Sequence, residues 1–447
     1  MPSQCLCKKR KKEHNFFNVP VQRSDDTPTP DGMKNFRERI RSYRPALLAD
    51  IYRPDARVAR FLSVLLVSGV AYGLYRGVQD NYLAEIIHIS PFERGIVEFF
   101  RELPGFLVIF ILALMYRFSD SKVFKIGIAL MAGGIVGLLF TSTGHLLSKF
   151  FVVFFMVLYS AGDHITMPVK STISLDMAKH EKAGASLGML SSIAQLGQIV
   201  GFIVVMVLFF LLARLGYERA DIFGYRIVLG GSAALMVASV LIALAIKETT
   251  LKSPRRRLFF AKKFYKYYML EVFYGSRKQI FLTFAPYVLI LHYGADPSVM
   301  SLLYAICAGF GIFCGPAIGR FIDKLGYKTV MVADTLILIV VCILYGFSHR
   351  IFPKEIAFFV VCTNFVLDSI LSIASMAGYV YVQHIASNQE EITATLSTGV
   401  SVNHIISIFI ALMGGWIWKV TGIEVLFSIS AVLALINCLY AASIKKQ

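Results

Sequence analysis

The sequence predicts an all-α polytopic membrane protein with twelve transmembrane helices in two six-helix bundles and both termini in the cytoplasm. Of its 447 residues, 56% are hydrophobic and 16% are charged, whereas charged residues make up about 25% of an ordinary soluble protein. The apolar residues form runs of about 20, the length that crosses a bilayer. A long basic segment separates the first six runs from the last six.

The apolar runs predict where each span lies. In the first set the spans are Val58–Ile87, Phe92–Tyr116, Lys122–Thr143, Phe150–Leu175, Ala185–Arg214 and Phe223–Ile246. In the second set they are Tyr267–Tyr293, Ser298–Phe321, Thr329–Phe347, Ile356–Tyr381, Ala394–Trp418 and Val425–Ser443. The predicted domains are a basic, largely disordered cytoplasmic tail (1–56), an amino-terminal bundle (57–246), a basic cytoplasmic linker (247–266) and a carboxyl-terminal bundle (267–447).

The positive charge predicts the orientation. Lysine and arginine accumulate in short cytoplasmic loops, and here they concentrate in the linker and in the loops on the same side. The net charge of +17 does not indicate nucleic-acid binding, because the apolar runs leave no continuous basic face. Basic residues 8–12 are followed by polar sequence and not by the apolar core of a signal peptide. We expect a monomer in contact with lipids of the inner or plasma membrane.

Signatures of enzymes and of ATP-driven pumps are absent from the sequence. It contains no Gly-x-x-x-x-Gly-Lys-Ser/Thr phosphate loop and no His-Glu-x-x-His motif. Its seven cysteines do not have zinc-site spacing. We therefore expect neither enzymatic activity nor a metal or other cofactor.

Two loops at equivalent places in the halves repeat one pattern. Asp120 is followed five residues later by Lys125, and Asp323 is followed five residues later by Lys328. An internal repeat of this kind is typical of secondary transporters. The run Gly319-x-x-x-Asp323-Lys324-x-Gly326-x-Lys328 resembles the cytoplasmic loop signature of the major facilitator superfamily. The resemblance implies alternating access, a cavity lined by helices 1, 4, 7 and 10, and a gating role for both Asp–Lys pairs; a solvated turn is the alternative.

Each of those four helices carries charge near its midpoint, whereas helices 3, 6, 9 and 12 are almost purely apolar. A charge in hydrocarbon costs at least about 2.5–3.5 kcal/mol, so charges inside spans usually face a cavity or a partner. We predict that the substrate site is formed by Arg76, Gln79, Asp80, Asn81, Asp163, His164, Arg277, Lys278 and Asp368.

The partners of these charges can be predicted only as alternatives. Arg76 and Asp80 lie one turn apart and could form an ion pair that only locks the helix. In a site formed between helices, Asp163 or Asp368 would pair with Arg76, and Arg277 or Lys278 with Asp80. Adjacent helix positions point about 100° apart, so one of Arg277 and Lys278 is expected to meet the substrate and the other an acidic partner.

Two further features concern protons and gates. Pro168 is expected to kink the fourth helix beside His164 and to free a carbonyl group, so a protonation switch is one interpretation and a satisfied core histidine the other. Asp80 or Asp163 would be the titrating group. In the second helix, Glu98, Arg101 and Glu102 form a ladder with Arg94 at three- and four-residue spacing, which predicts a structural network or an outward gate.

These observations predict a secondary active transporter for a small polar solute that is anionic or zwitterionic, with a proton as the coupling ion. Two alternatives remain open at this point. One is a flippase for lipids or lysolipids, which a wide gap lined by phenylalanine and leucine would favour. The other is a non-transporting sensor that signals through its basic tail or linker.

Overall fold

The computed structural model describes residues 48–53, 55–115, 117–141, 146–218, 221–247 and 260–444. It has two compact units, Met1–Asp50 and Ile51–Gln447. Residues 48–50 of the first unit are helical. Nearly all of the predicted tail, and residues 248–259 of the predicted linker, lie outside the described residues.

Within its described residues, the second unit forms twelve long α-helices. The first six are α1 Ala56–Asn81, extended by a π-helical turn Tyr82–Ile86, α2 Pro91–Leu114, α3 Asp120–Leu138, α4 Leu146–Met177, α5 Ala183–Arg214 and α6 Ile222–Leu244. The second six are α7 Tyr265–Tyr293, α8 Pro297–Leu325, α9 Tyr327–Ile351, α10 Lys354–Ile385, α11 Gln389–Thr421 and α12 Ile423–Ala442. Helix α10 consists of two segments, Lys354–Ile373 and Met376–Ile385. Each of the twelve predicted spans coincides with one of these helices, with ends that differ by a few residues.

Ten of these helices are long and apolar enough to cross a membrane, judged on the described residues alone. The remaining two are α2 and α7, and α7 carries Arg277 and Lys278 near its middle. Helix α2 contains Glu93, Arg94, Glu98, Arg101 and Glu102. Both helices therefore need polar partners from their neighbours if they are to lie in a bilayer.

Equivalent helices in the two halves begin in the same way. Helix α2 begins at Pro91 after Ser90, whose hydroxyl accepts a hydrogen bond from the Glu93 amide at 3.3 Å. Helix α8 begins at Pro297 after Asp296, whose carboxylate accepts from the Val299 amide at 2.8 Å. A capping side chain followed by proline satisfies free amides and sets the first turn.

The helix packing follows the same repeat. Helix α1 packs against α5 and α6, and α3 packs against α4 and α6. In the second half α7 packs against α11 and α12, and α9 packs against α10 and α12. The two bundles meet mainly through two further pairs, α2 with α11 and α5 with α8. Helix α2 corresponds to α8 in the repeat, and α5 corresponds to α11, so the two pairs are equivalent.

Glycines allow α2 and α11 to approach closely. A β-carbon added to Gly95 would lie 2.4 Å from the Ala411 carbonyl oxygen. One added to Gly415 would lie 3.0 Å from the Phe92 carbonyl oxygen. Small residues at such crossings bring helix backbones together in membranes, so this contact depends on glycine at both places.

The bundles are joined toward one side of the molecule. We call the side on which α1 begins and α12 ends the terminal side, and the opposite side the far side. Near the far side, the Asn81 amide donates to the Ala295 carbonyl group at 2.9 Å, and the Ser301 hydroxyl donates to the Gly77 carbonyl group at 3.1 Å. These bonds hold the ends of α1 and α7 and the beginning of α8 together.

Toward the terminal side the same helix faces separate. Gln195 of α5 still approaches Gly311 of α8: a β-carbon added to Gly311 would lie 3.3 Å from the side-chain amide oxygen of Gln195. Further along the same faces, a β-carbon on Gly184, Gly188, Gly315 or Gly319 would meet nothing within 4 Å. From this separation we infer a cleft between the bundles that opens to the terminal side.

Candidate functional site

One buried carboxylate joins three helices from both bundles. The Asp80 side chain is 2% exposed and lies 2.9 Å from Nη1 of Arg76 on the same helix. It lies 3.2 Å from Nη2 of Arg94 on α2. The Tyr304 hydroxyl on α8 donates to Asp80 at 2.6 Å. Asp80 is therefore a bond between the bundles as well as part of an ion pair on α1.

The predicted partners of Arg76 and Asp80 in other helices are wrong. Arg76 pairs with Asp80 on its own helix, and its guanidinium group lies 4.9 Å from the centre of the Tyr304 ring. Arg94 reaches Asp80 because α2 turns back toward α1 on the far side. Tyr304 was missed because a tyrosine in an apolar run gives no signal before its neighbours are known.

The predicted ladder on α2 is confirmed. Nη1 of Arg94 lies 2.8 Å from Oε2 of Glu98. Arg101 pairs with Glu98, and its Nη2 also lies 2.6 Å from Oε1 of Glu102. Because these residues are three or four positions apart, helix geometry alone brings them together.

The ladder is bonded to the carboxyl-terminal bundle at two places. The amide nitrogen of Gln279 on α7 donates to Glu98 at 3.1 Å. Nδ1 of His404 on α11 lies 2.9 Å from Oε2 of Glu102. Together with the bond from Tyr304 to Asp80, these contacts form a continuous network, which we call the far-side network: Arg76, Asp80, Arg94, Glu98, Arg101, Glu102, Gln279, Tyr304 and His404.

Charges alternate in sign along the far-side network. Arg94 and Glu98 are each 1% exposed, so they have lost nearly all of their hydration. Buried ions are tolerated when opposite charges and hydrogen bonds replace the lost water, and each of these groups has both. The Arg101 side chain is 29% exposed, which makes it the most accessible cation of the network.

Helix α4 contributes a buried imidazole beside the network. His164 is 7% exposed, and its Nδ1 lies 2.8 Å from the Ser160 carbonyl oxygen. Its ring centre lies 5.1 Å from that of His404. Its neighbour Asp163 is half-buried.

Helix α4 is not interrupted at Pro168, the place of the predicted kink. The helix is continuous from Leu146 to Met177 and includes Pro168. The Thr166 hydroxyl donates to the Asp163 carbonyl oxygen at 2.8 Å, and the Thr172 hydroxyl donates to the Pro168 carbonyl oxygen at 3.2 Å. Both hydroxyls bond to carbonyl oxygens other than that of His164, the group that Pro168 leaves without its helical donor.

The carboxyl-terminal bundle has its own buried ion pair. Nη1 of Arg277 on α7 lies 2.5 Å from Oδ1 of Asp368 on α10. The neighbouring Lys278 is half-buried and is attracted to Glu271, about two turns earlier on α7. The expectation that one of the two cations has an acidic partner is confirmed for Arg277.

Asp334 corrects the prediction that the ninth helix is almost purely apolar. It lies on α9 and interacts electrostatically with Arg277 and Asp368. Its Oδ1 is buried without a hydrogen-bond partner among the described residues. A single aspartate near the beginning of a long apolar run resembles an interfacial residue, which is why the sequence did not reveal its burial.

The predicted site residues therefore fall into separate groups. Arg76 and Asp80 belong to the far-side network, as do Glu98, Arg101 and Glu102, which were predicted as gate residues. Asp163 and His164 lie beside the network on α4. Asn81 contacts the connection between α7 and α8, and Gln79 is buried on α1.

Comparison with known proteins identifies the fold. Residues 268–446 match the family model described as Major Facilitator Superfamily. No curated protein matches the chain by sequence. The nucleoside transporter NupG superposes with a TM-score of 0.68 at 14% identity, covering 88% of this chain and 100% of that chain. The chain has the fold of the major facilitator superfamily.

Two further solved structures with this superfamily fold are similar to the chain. A D-xylose-proton symporter superposes with a TM-score of 0.68 at 14% identity, covering 87% of this chain and 96% of that one. A bacterial homologue of the iron transporter ferroportin, in an inward-facing state, superposes with a TM-score of 0.67 at 13% identity, covering 86% of this chain and 98% of that one. The resemblance inferred from the loop signature is thus confirmed, and the superfamily fold extends over both halves.

The two copies of the superfamily loop differ in burial. Asp120 follows the capping Ser119 in the first turn of α3 and is fully buried. Asp323 lies in the last turn of α8 and is exposed, whereas Lys125 and Lys328 are both half-buried. Gly326, with φ of 82°, makes the turn from α8 to α9 in a conformation that favours glycine.

Proposed function

We propose that this protein is a secondary active transporter of the cell membrane that works as a monomer by alternating access. Its substrate would be a small polar organic solute, anionic or zwitterionic, moved together with a proton. One observation carries the proposal: a buried charged network joins the bundles on the far side, while the cleft between them opens to the terminal side. A solute could enter such a cleft only from the terminal side in this state.

The accessible charges of both signs support a charged solute. Arg101 is 29% exposed, Arg76 is 14% exposed and Asp368 is 15% exposed. The first two lie on the amino-terminal bundle, and the third lies on the carboxyl-terminal bundle. A zwitterion could bind a guanidinium group through its anionic end and a carboxylate through its cationic end, so that binding favours closure of the cleft.

Opening the far side requires three bonds of the far-side network to break, in addition to the bonds from Asn81 to Ala295 and from Ser301 to Gly77. The three network bonds connect Tyr304 to Asp80, Gln279 to Glu98 and His404 to Glu102. Each of these three bonds involves a carboxylate, and hydrogen bonds to charged groups are roughly twice as strong as neutral ones. Protonation of a carboxylate would weaken its bond, which links proton binding to opening. We propose Asp80 and Asp163 as the proton-coupling groups, with Glu98, Arg101 and Glu102 as the gate.

The loop signatures would close the opposite side in turn. We propose that Asp120 and Lys125 in one half, and Asp323 and Lys328 in the other, bind neighbouring helix ends when the terminal side is shut. The exposure of Asp323 in the present state agrees with an open terminal side. The remaining predicted residues, Gln79, Asn81, His164, Arg277 and Lys278, would line or support the substrate site.

Transport into proteoliposomes tests this function. Purified protein is first screened by thermal shift against anionic, zwitterionic and neutral metabolites, and a stabilising compound is then used as the uptake substrate. We expect uptake to respond to an imposed pH gradient in the wild type and to become independent of it in Asp80→Asn. Arg350→Ala is the matched control, because Arg350 is a 67% exposed arginine paired with Glu424. An uptake rate of the wild type that is independent of the imposed pH gradient would exclude proton coupling.

A second candidate, movement of lipids, is supported by one specific observation. A groove of about 900 Å³ runs between α2 and α4 and is lined by apolar side chains including Phe100, Phe150 and Phe154. Lys149 lies at this groove and pairs with Glu93 at 2.8 Å, so an acyl chain and a phosphate group could both be held. A fluorescent phospholipid that changes leaflet in proteoliposomes with the wild type, but not with Lys149→Ala, would favour this candidate over solute transport.

A further inference from the structure

Three side chains that commonly bind metals meet between the two bundles. They are Glu102 of α2, His164 of α4 and His404 of α11, and one ligand atom from each lies within 4.8 Å of the other two. Two imidazoles and a carboxylate are a donor set that suits zinc and iron. We propose that these three residues form a site for a divalent first-row transition metal ion that joins the bundles.

The hydrogen bond of His164 prepares it as a ligand. Its Nδ1 lies 2.8 Å from the Ser160 carbonyl oxygen. A carbonyl oxygen can only accept, so Nδ1 carries the proton and Nε2 keeps its lone pair. Histidines that bind metals nearly always donate their other ring N–H group to a carbonyl or carboxylate oxygen in this way.

The two imidazoles face one small space beside Gly105. A β-carbon added to Gly105 would lie 2.6 Å from Nε2 of His164 and 2.8 Å from Nδ1 of His404. Both nitrogen atoms therefore point toward the same place, one helical turn after Glu102. Glycine leaves that place free of any side chain.

The ligand atoms lie within 4.8 Å of one another, so binding an ion would draw some of them closer by up to about 1.5 Å. Zinc bonds to nitrogen and oxygen are about 2.0–2.2 Å long, which puts tetrahedral ligands about 3.3 Å apart. Oε2 of Glu102 and Nδ1 of His404 are already 2.9 Å apart, joined by a proton that the metal would replace. Arg101 binds the other oxygen of Glu102, and its positive charge repels a metal cation. Its pairing with Glu98 offsets part of that repulsion.

The position of the ligands indicates what the ion would do. Glu102 and His164 belong to the amino-terminal bundle and His404 to the carboxyl-terminal bundle, so a bound ion stabilises the state in which the far side is closed. Three protein ligands leave one position for water in a tetrahedral site. The inference does not depend on the proposed substrate, because metal binding can be measured without transport.

Cobalt is a suitable probe, because Co²⁺ bound by nitrogen and oxygen ligands absorbs visible light. We expect the full-length protein in detergent to bind one Co²⁺ per chain and to release it to Zn²⁺. His164→Gln and His404→Gln should each weaken binding at least about ten-fold. Gly105→Ala keeps all three ligands but fills the space between them, so it should weaken binding as well.

His349→Gln is the matched control. It also removes a histidine from a histidine–carboxylate pair, since Nε2 of His349 lies 3.2 Å from Oε1 of Glu424, and it should leave Co²⁺ binding unchanged. A wild-type protein that binds no Co²⁺ would overturn the proposal. Binding that persists in both His164→Gln and His404→Gln would overturn it too. The same holds if the protein binds no metal and these variants alter only the pH dependence of transport.

Discussion

At the scale of single residues, Tyr304 is the most informative position. Its hydroxyl donates to Asp80 from the opposite bundle at 2.6 Å. Tyr304→Phe removes that bond and little else. Hydrogen bonds to charged groups contribute about 1.5–3 kcal/mol, so we expect the equilibrium between far-side-closed and far-side-open states to shift about 10- to 100-fold toward opening.

Spin labels on the far side measure this shift. Tyr217 and Arg350 are exposed residues of the two bundles on that side, and labelled cysteines at both positions report their separation. Tyr293→Phe is the control, because the Tyr293 hydroxyl has no hydrogen-bond partner among the described residues. Equal distance distributions in Tyr304→Phe and Tyr293→Phe would mean that the hydroxyl does not hold the bundles together.

The Arg277–Asp368 pair gives a second prediction at the same scale. Arg277→Met leaves a buried carboxylate without its cation, and breaking a buried pair in this way costs about 3–5 kcal/mol. The double variant Arg277→Met/Asp368→Leu removes both charges and should recover at least half of that loss. Chemical unfolding in detergent measures both values.

An exposed pair provides the comparison for this experiment. Arg350 pairs with Glu424 at 2.5 Å, but its side chain is 67% exposed. Arg350→Met should therefore cost less than about 1 kcal/mol. If Arg277→Met were no more destabilising than Arg350→Met, the buried pair would contribute nothing to the stability of the bundle.

At the scale of helices, the crossing of α2 and α11 controls how the bundles meet. Gly95→Ala would place a β-carbon 2.4 Å from the Ala411 carbonyl oxygen, so the two helices must separate. We expect the same spin-label pair to show a larger fraction of far-side-open molecules. Gly230→Ala on α6 is the control, because a β-carbon there would meet nothing within 4 Å. A response of equal size in both variants would rule out a specific role for the crossing.

Hydropathy and charge pattern predict much of the architecture at this scale. The first span was expected at Val58–Ile87 and the helix with its π-helical turn covers Ala56–Ile86; the seventh ends at Tyr293 in both. The ladder on α2 follows from spacing within one helix. The partners of Asp80 do not, because Arg94 and Tyr304 reach it only through the packing of three helices.

At the scale of the whole molecule, the orientation in the membrane remains a prediction from the loop charges. It places the terminal side in the cytoplasm. In a cysteine-free background, Arg320→Cys on the terminal side should react with an impermeant thiol reagent only in inside-out vesicles. Arg350→Cys on the far side should react only in intact cells. Both arginines are exposed, so the reverse pattern would invert the predicted topology.

The charges of α2 also affect how the chain is made. Each arginine or acidic residue near a helix centre costs about 2.5–3.5 kcal/mol to insert, and α2 carries five charged residues. Asp80 on α1 can offset part of that cost at once, because α1 is synthesised just before α2. The partners of Glu98 and Glu102 on α7 and α11 emerge five and nine helices later. The bonds that join Glu98 and Glu102 to the second bundle can therefore form only after α7 and α11 have been made.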